Sequence, residues 1–329
     1  MAKKHQLING KEEEFIDWLD TEGNIINAGD GGIIYAGGVY HWYGQVMRDL
    51  CERKSVDNSA ATIAGIAMYR SMDLVNWDYE GIVLSCGTNM EGDLQAPLRF
   101  ERSKILYNNK TGKYVLWCHY VKYPGIHGDT VGTAEAGVAV SDSVNGPYRW
   151  IGSSRPIDSS GLVKDCTVFQ DDDGSAYFVY DRRKSDSLTD RCLHIVKLSD
   201  DYLSFGNTWK RIDPAYRREA PVMLKKDGYY YLITSGVSGW TANQSRYYRS
   251  KNLMGPWEDL GDPCIGDTSH TTFHSQGTYG FVNRSTGQHI FMAERHNTDS
   301  FLHCSYVWLP IEFHEDHTLS ISYRNIWDL

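Results

Sequence analysis

Apolar and polar positions alternate with a period of two along most of the chain, in short runs broken by Gly, Asn, Asp and Ser, which is the pattern of half-buried strands joined by tight turns. Helix-period stretches are nearly absent. The best is EEEFIDWLD at residues 12–20, where Phe15, Trp18 and Leu19 would share one face of a short helix. Two phrases recur in alternation. One is an apolar strand, a turn carrying Gly and an aromatic strand: IIYAGGVYHWYG from Ile33, KILYNNKTGKYVLWCHY from Lys104, TVFQDDDGSAYFVYD from Thr167, VMLKKDGYYYLITSG from Val222 and YGFVNRSTGQHIFMAE from Tyr279. The other is a later strand pair, as in AMYRSMDLVNWDYEG from Ala67 or RYYRSKNLMGPWEDLG from Arg246. Hairpin plus strand pair makes a four-stranded unit of roughly 55–70 residues, and five such units fill the chain. The expected fold is all-β: a five-bladed β-propeller of four antiparallel strands per blade over residues 27–329, preceded by an N-terminal extension over residues 1–26. Two stacked sandwiches would not explain why the same strand order returns five times.

Composition narrows the function. The 329 residues carry 33 Lys+Arg against 42 Asp+Glu, a formal net charge of −9, with no basic run, so a nucleic-acid partner is not expected. No apolar stretch approaches the roughly 18 residues that span a bilayer. The start MAKKHQLINGKEEEF has no apolar signal region, so no membrane partner is expected either, and the cytoplasm is the expected location. A secreted chain already trimmed of its signal would look the same. The seven cysteines are an odd number without a CxxC pair, which argues for free thiols rather than a disulfide framework or a zinc site. The aromatic share of 13% suits both strands and surfaces that stack on sugar rings.

Aligning the hairpins on their first apolar strand brings one polar residue into the same position each time: Asp30 in DGGII, Glu101 in ERSKI, Asp165 in DCTVF, Glu219 in EAPVM and Gln276 in QGTYG. The first strand of a blade lines the propeller axis, so four carboxylates and one carboxamide would converge at one end of the channel. Crowding like charges costs stability and raises pKa values, which is a functional rather than a structural signature. Glycoside hydrolysis uses such an arrangement, with an acid over the leaving oxygen and, in inverting enzymes, a base about 6.5–9.5 Å away across a water.

The second strand of each hairpin returns to the same rim, so its exit loop should surround the acids with substrate-binding groups. Gln45, His119 with Tyr120, Asp181 with Arg182, Trp240 at the end of SGVSGW, and Arg295 after Glu294 stand there. Trp240 is a candidate sugar platform and Arg295 a candidate hydroxyl or carboxylate ligand. The acids of DDDG at residues 171–174 belong to a turn. HEDH at residues 314–317 lacks a third ligand nearby, and neither a metal nor another cofactor is expected.

At these residues the chain resembles glycoside hydrolase family 43, over about residues 24–313. The phrases GNIINAGDGGIIY, ERSKILYNNKTGKYVLW, DCTVFQDDDGSAYFVY, REAPVMLKKDGYYYLITSGVSGW and SQGTYGFV are most similar to its branch of exo-β-1,3-galactanases and their arabinofuranosidase-like relatives. The resemblance implies a five-bladed propeller that hydrolyses glycosidic bonds with inversion, with Glu219 the general acid, Asp165 its pKa modulator and orienter, and Glu101 a carboxylate that holds substrate. Most of the family uses an Asp at the head of blade one as base. The galactanase branch has an Ala-His-Gly-Gly-Gly run there instead and is thought to use the blade-five Gln. This chain reads AGDGG, with Asp30 at the place of the base and Gln276 also present, and it has Gln45 where the branch has Glu. Asp30 is the expected base, because a carboxylate takes a proton directly whereas a carboxamide must pass through its imidic acid tautomer.

The expectation is therefore an inverting exo-glycosidase that releases terminal sugars from plant-type oligosaccharides, β-1,3-galactan or arabinogalactan side chains first. An α-L-arabinofuranosidase or β-xylosidase of the same family, and a non-catalytic carbohydrate-binding propeller, are the alternatives. One compact pocket ringed by Trp240 and Arg295 suits a terminal sugar better than an open cleft.

Overall fold

The computed structural model describes residues 6–46, 65–86, 92–94, 98–122, 133–157, 161–184 and 190–329. After a short strand β1 (Gln6–Ile8), five antiparallel meanders follow in chain order. Blade one is β2 (Gly29–Ala36), β3 (Val39–Gln45), β4 (Gly65–Ser71) and β5 (Asp78–Ser85). Blade two is β6 (Leu98–Asn108), β7 (Lys113–Lys122), β8 (Thr133–Ser141) and β9 (Arg149–Ser154). Blade three is β10 (Gly161–Gln170), β11 (Ala176–Lys184), β12 (Arg191–Leu198) and β13 (Phe205–Tyr216). Blade four is β14 (Arg218–Lys226), β15 (Tyr229–Gly236), β16 (Arg246–Ser250) and β17 (Glu258–Gly261). In blade five, β19 (Gln276–Val282), β20 (His289–Arg295), β21 (Ser305–Phe313) and β22 (Leu319–Ser322) form the four strands. The two-residue β18 (Cys264–Ile265) adds a parallel edge to β22. The innermost strands pack in a ring, β2 on β6, β6 on β10, β10 on β14, β14 on β19 and β19 back on β2. This is the five-bladed β-propeller the repeats predict.

The described residues contain no α-helix, and the helix expected over residues 12–20 is an extended strap. An isolated helix this short is marginal in water, and tertiary contacts decide its conformation. Here the Ser305 hydroxyl accepts the Ile16 N–H (2.7 Å) and donates to the Ile16 carbonyl (3.0 Å), which engages both groups a helix would need. Trp18 points inward onto Trp308, Trp42 and Tyr306, with centroids 5.2, 6.0 and 5.8 Å away, while Phe15 and Leu19 stay exposed. These rings, with Trp77, fill the seam between blades five and one. Each edge-on aromatic pair adds about 0.5–1.5 kcal/mol to the burial itself. The strap continues the seam at β1, which pairs with β23 (Ile326–Asp328).

Strand register corrects one expectation. The far ends of the second strands, Gln45, His119, Arg182, Ser235 and Glu294, pair with Gly29, Glu101, Val163, Glu219 and Gln276. Two residues back along the second strands, the partners are Gly32, Lys104, Cys166, Val222 and Tyr279, three residues on in each first strand. Every blade thus carries a β-bulge at the same place. Glu101, Glu219 and Gln276 are in step, as expected. Asp30 lies one residue beyond that position, in step with Arg102 and Ala220, and Asp165 lies two beyond. The extra residue of a bulge re-aims neighbouring side chains, so residues out of step can still face one space. Asp30, Arg102 and Ala220 have φ of 56°, 56° and 50°, the left-handed conformation that turns the bulge.

The glycines beside Asp30 do not loosen it. A Cβ on Gly31 would stand 1.6 Å from the Tyr43 carbonyl oxygen, and one on Gly44 would stand 2.1 Å from that of Ala28, so both glycines allow the bulge to lie flat on β3. Gly44→Ala is expected to destabilise the protein by about 3 kcal/mol, read as a lowered urea midpoint with unchanged m-value. A midpoint within error of wild type would mean the close approach is not a constraint.

Candidate active site

The head of each first strand brings its polar residue to one end of the axis, and an arginine stands among them. Arg102, 3% exposed, places its guanidinium 3.4 Å from Asp30 Oδ1 and 3.1 Å from Asp165 Oδ2. It also donates to Gln276 Oε1 and, over 2.9 Å, to the Gly277 carbonyl. Burial alone would lower its pKa. The charges of Asp165, Asp30, Glu294 and Glu219 outweigh that and push it up. Arg102 therefore holds its charge, and the four expected residues Asp30, Asp165, Glu219 and Gln276 come together around it.

Around this charge the carboxyl groups divide into two kinds. Burial, and then the charge of Asp165, push Glu219 up to about 8, against the pull of Arg191, whose Nη2 lies 2.6 Å from Glu219 Oε2. Glu294, fully enclosed and beside the Asp30 charge, is likewise pushed up to about 8. Burial also acts on Asp30, but Arg102 and His296 prevail and lower it to about 2. Glu101 follows Asp30: His119 and Arg99 overcome its burial and hold it well below the usual carboxylate range. At neutral pH Glu219 and Glu294 keep their protons while Asp30 and Glu101 are ionised. Environments that separate proton affinities this way assign acid and base roles.

Asp30 is held at every polar atom but one. Its N–H donates to Glu294 Oε1 (2.7 Å), its carbonyl accepts from Lys104 Nζ (3.0 Å), and Oδ2 accepts from Gln45 Nε2 (2.8 Å). Its Oδ1 faces Arg102 and His296 Nε2 (3.8 Å) and accepts no hydrogen bond. Gln276 is engaged on both sides. Besides the bond from Arg102 to Oε1, its Nε2 donates to Ser235 Oγ (2.7 Å) and Glu219 Oε1 (3.4 Å).

The residues expected on the rim divide as well. Trp240 lines a 270 Å³ pocket together with Gln276, Glu294 and His296, and its ring meets His296 and Phe301 edge-on at 4.8 and 5.0 Å. His119 is buried beneath Glu101, with Nδ1 3.0 Å from Oε2. Gln45 is buried on Asp30. Asp181, with no exposed surface, lies below the rim against Arg191, where burial raises it to about 6. Arg295 borders the pocket, yet its guanidinium donates to the carbonyls of Glu14, Phe273 (3.1 Å) and His274 (3.3 Å) and to the Tyr323 hydroxyl (3.3 Å). Gln45, His119 and Asp181 thus position other site residues, because each is buried with a polar atom against a charged neighbour, and Arg295 joins loops, because its donors face main-chain carbonyls.

Sequence reasoning missed Arg102, Lys104, Arg191 and His296 and named Glu294 only as a rim residue. A signal was present for the first two: ERSK puts four polar residues in succession at the head of an apolar strand, which an alternating strand does not need. Asp30, Glu294 and His296 offer ligand atoms within 4.8 Å of one another, the geometry that a cation requires. The Arg102 charge already stands 3.4 Å from the same Asp30 oxygen, so a cation would have to displace that ion pair.

Comparison with known proteins gives this geometry its chemistry. The sequence profile of the glycosyl hydrolases family 43 matches residues 44–319. A family 43 β-1,3-galactosidase solved with galactodeoxynojirimycin superposes with a TM-score of 0.84 at 33% identity, covering 98% of this chain and 100% of that one. An exo-β-1,3-galactanase from Clostridium thermocellum gives 0.82 at 32% identity, over 99% of this chain and 67% of that one. A xylan 1,3-β-xylosidase of a Vibrio species is 25% identical over 216 residues, 59% of this chain and 36% of that protein, so the match spans about a third of that relative's length. The profile match over most of the chain and the full-length likeness to a solved member show that the chain belongs to family 43 of the glycosyl hydrolases, enzymes that cleave glycosidic bonds with inversion.

Proposed function

We propose that the protein is an exo-acting β-1,3-galactan hydrolase that releases terminal galactose from oligosaccharides, with Glu219 the general acid and Asp30 the general base. The observation that carries this reading is the division of proton affinity around Arg102, Glu219 raised to about 8 and Asp30 lowered to about 2. The full-length likeness to a β-1,3-galactosidase supports the choice of sugar. Glu219 enters the reaction protonated and gives its proton to the leaving oxygen. Asp165 repels the resulting carboxylate and so keeps the acid's pKa high, while Arg191 limits the rise. Asp30 takes the proton of the attacking water at Oδ1, a buried oxygen that pairs with the Arg102 charge but accepts no hydrogen bond within the protein. Glu101, ionised and partly exposed, accepts substrate hydroxyls.

Gln276 serves as a positioning residue in this reading. Acting as base through its imidic tautomer would break the bonds that fix its amide between Arg102, Ser235 and Glu219. The small concave pocket beside Trp240 supports action on a chain end.

Activity should fall as pH rises through about 8, because the acid must hold its proton in the productive form. Asp165→Asn removes the repulsion that raises Glu219, so the alkaline limb of kcat/KM moves to lower pH. Arg191→Gln removes the opposing attraction and moves it to higher pH. Shifts of the same sign in both variants would show that Glu219 does not set this limb.

Wild type, assayed on β-1,3-galactobiose, arabinofuranosides and xylosides, should release galactose fastest, and Glu219→Gln should lose roughly 10²–10⁴ in rate. Faster release of arabinose or xylose would move the substrate to that sugar, and no release from any of them would leave only a sugar-binding role. Asp30→Ala should abolish hydrolysis of activated galactosides and, with azide, yield the glycosyl azide of inverted configuration. Near-normal hydrolysis in Asp30→Ala together with its loss in Gln276→Ala would transfer the base to Gln276.

A further inference from the structure

The pocket beside the carboxylates has a wall that no propeller blade supplies. Glu13 and Phe15, from the N-terminal strap, line it with Trp240, Gln276, Glu294 and His296. The strap is pinned on both sides of Phe15. Arg295 donates to the Glu14 carbonyl, and Ser305 takes both backbone groups of Ile16. Beyond these, Glu13 lies 3.2 Å from His274 Nε2, Asp17 lies 3.0 Å from His303 Nδ1, and the Tyr323 hydroxyl donates to the carbonyls of Gly10 and Lys11 (3.1 Å each). This explains why a buried arginine at the site's edge spends its donors on main-chain carbonyls.

Phe15 itself is 48% exposed and has no ring partner among the described residues, although the backbone on both sides of it is anchored inward. A single exposed apolar side chain is ordinary on a protein surface. A phenyl group held by two anchored peptide units at the wall of a concave polar pocket is a different case. Its backbone is already fixed, and the groups across the pocket are those of a sugar site: an indole and several hydrogen-bonding side chains. Pyranose rings present patches of C–H that pack on aromatic faces while their hydroxyls reach polar groups at the edge.

We propose that Phe15 is a substrate-binding residue, packing on the apolar face of the terminal sugar as a second aromatic wall beside Trp240, and that the strap makes the pocket blind to chain extending past that sugar. The inference builds on the proposed hydrolase reading for the identity of the sugar and requires only that the pocket binds one.

The test compares Phe15→Ala, Phe15→Tyr and, as a control on the same strap outside this pocket, Leu19→Ala. Phe15→Ala should raise KM for β-1,3-galactobiose and Kd for free galactose, measured by titration calorimetry, about tenfold, with kcat changed less than threefold and an unchanged melting temperature. Phe15→Tyr should restore both constants, and Leu19→Ala should match wild type. Unchanged KM and Kd in Phe15→Ala would overturn the proposal. So would equal weakening in Leu19→Ala, which would mean that the strap acts only through its general fit. Should wild type release no sugar from any glycoside, Kd values for galactose, arabinose and xylose still decide the matter. Weaker binding by Phe15→Ala upholds the wall without the hydrolase, and wild type binding none of the three rejects it.

Discussion

One guanidinium holds the site together. Arg102 belongs to blade two, yet it reaches Asp30 of blade one, Asp165 of blade three and both Gln276 and Gly277 of blade five. Its own carbonyl lies within reach of the Cys166 thiol. Several buried carboxyl groups around one axis would repel each other and shed their charges by binding protons. A fixed cation with a planar fork of donors lets Asp30 remain ionised and sets the directions in which Asp30 and Asp165 point. A lysine would supply charge without that geometry. Lys104 illustrates the difference: burial lowers its pKa to about 8, and it serves Asp30 through the main chain alone.

Proton allocation in the site is consequently a property of the cluster. Asp30 is ionised because Arg102 and His296 face it, and burial together with the Asp30 charge in turn keeps Glu294 protonated. Asp165 does the same to Glu219, moderated by Arg191, which Asp181 holds from below. Arg102 stands between Asp30 and Asp165, and Arg191 between Asp181 and Glu219. Removing any one of them changes the proton affinity of the next.

The propeller was legible because its evidence is redundant. Five hairpins, each with its own turn residues and aromatic second strand, report the same blade, and the family phrases fall on the heads of those blades. The residues that gather at the axis were legible too, since polar residues at the head of an apolar strand stand out. Their registers were not. A bulge adds a residue without changing the pattern of apolar positions after it, so Asp30 and Asp165 looked equivalent to Glu101 and Glu219. The strap misled for another reason: Phe15, Trp18 and Leu19 have helical spacing, but only Trp18 turns inward, and Ser305 of a distant strand decides the backbone. Arg295 looked like a ligand because sequence gives its neighbours along the chain and not the carbonyls that surround it in space.

The bulge repeated in all five blades separates chemistry from architecture. Pairing resumes beyond it in the same way whether the intervening residues are Asp-Gly, Arg-Ser, Lys-Asp or Ala-Pro. Apart from Gly31, which the close approach to β3 keeps without a Cβ, the ladder that carries the fold's stability does not read those positions, and the space at the end of the axis does. Such a protein can exchange the reactive and recognising groups of a blade without repacking its core. A lineage built on it is free to move a carboxylate from one spoke to the next, and so to change which sugar it attacks, while its melting behaviour stays nearly constant.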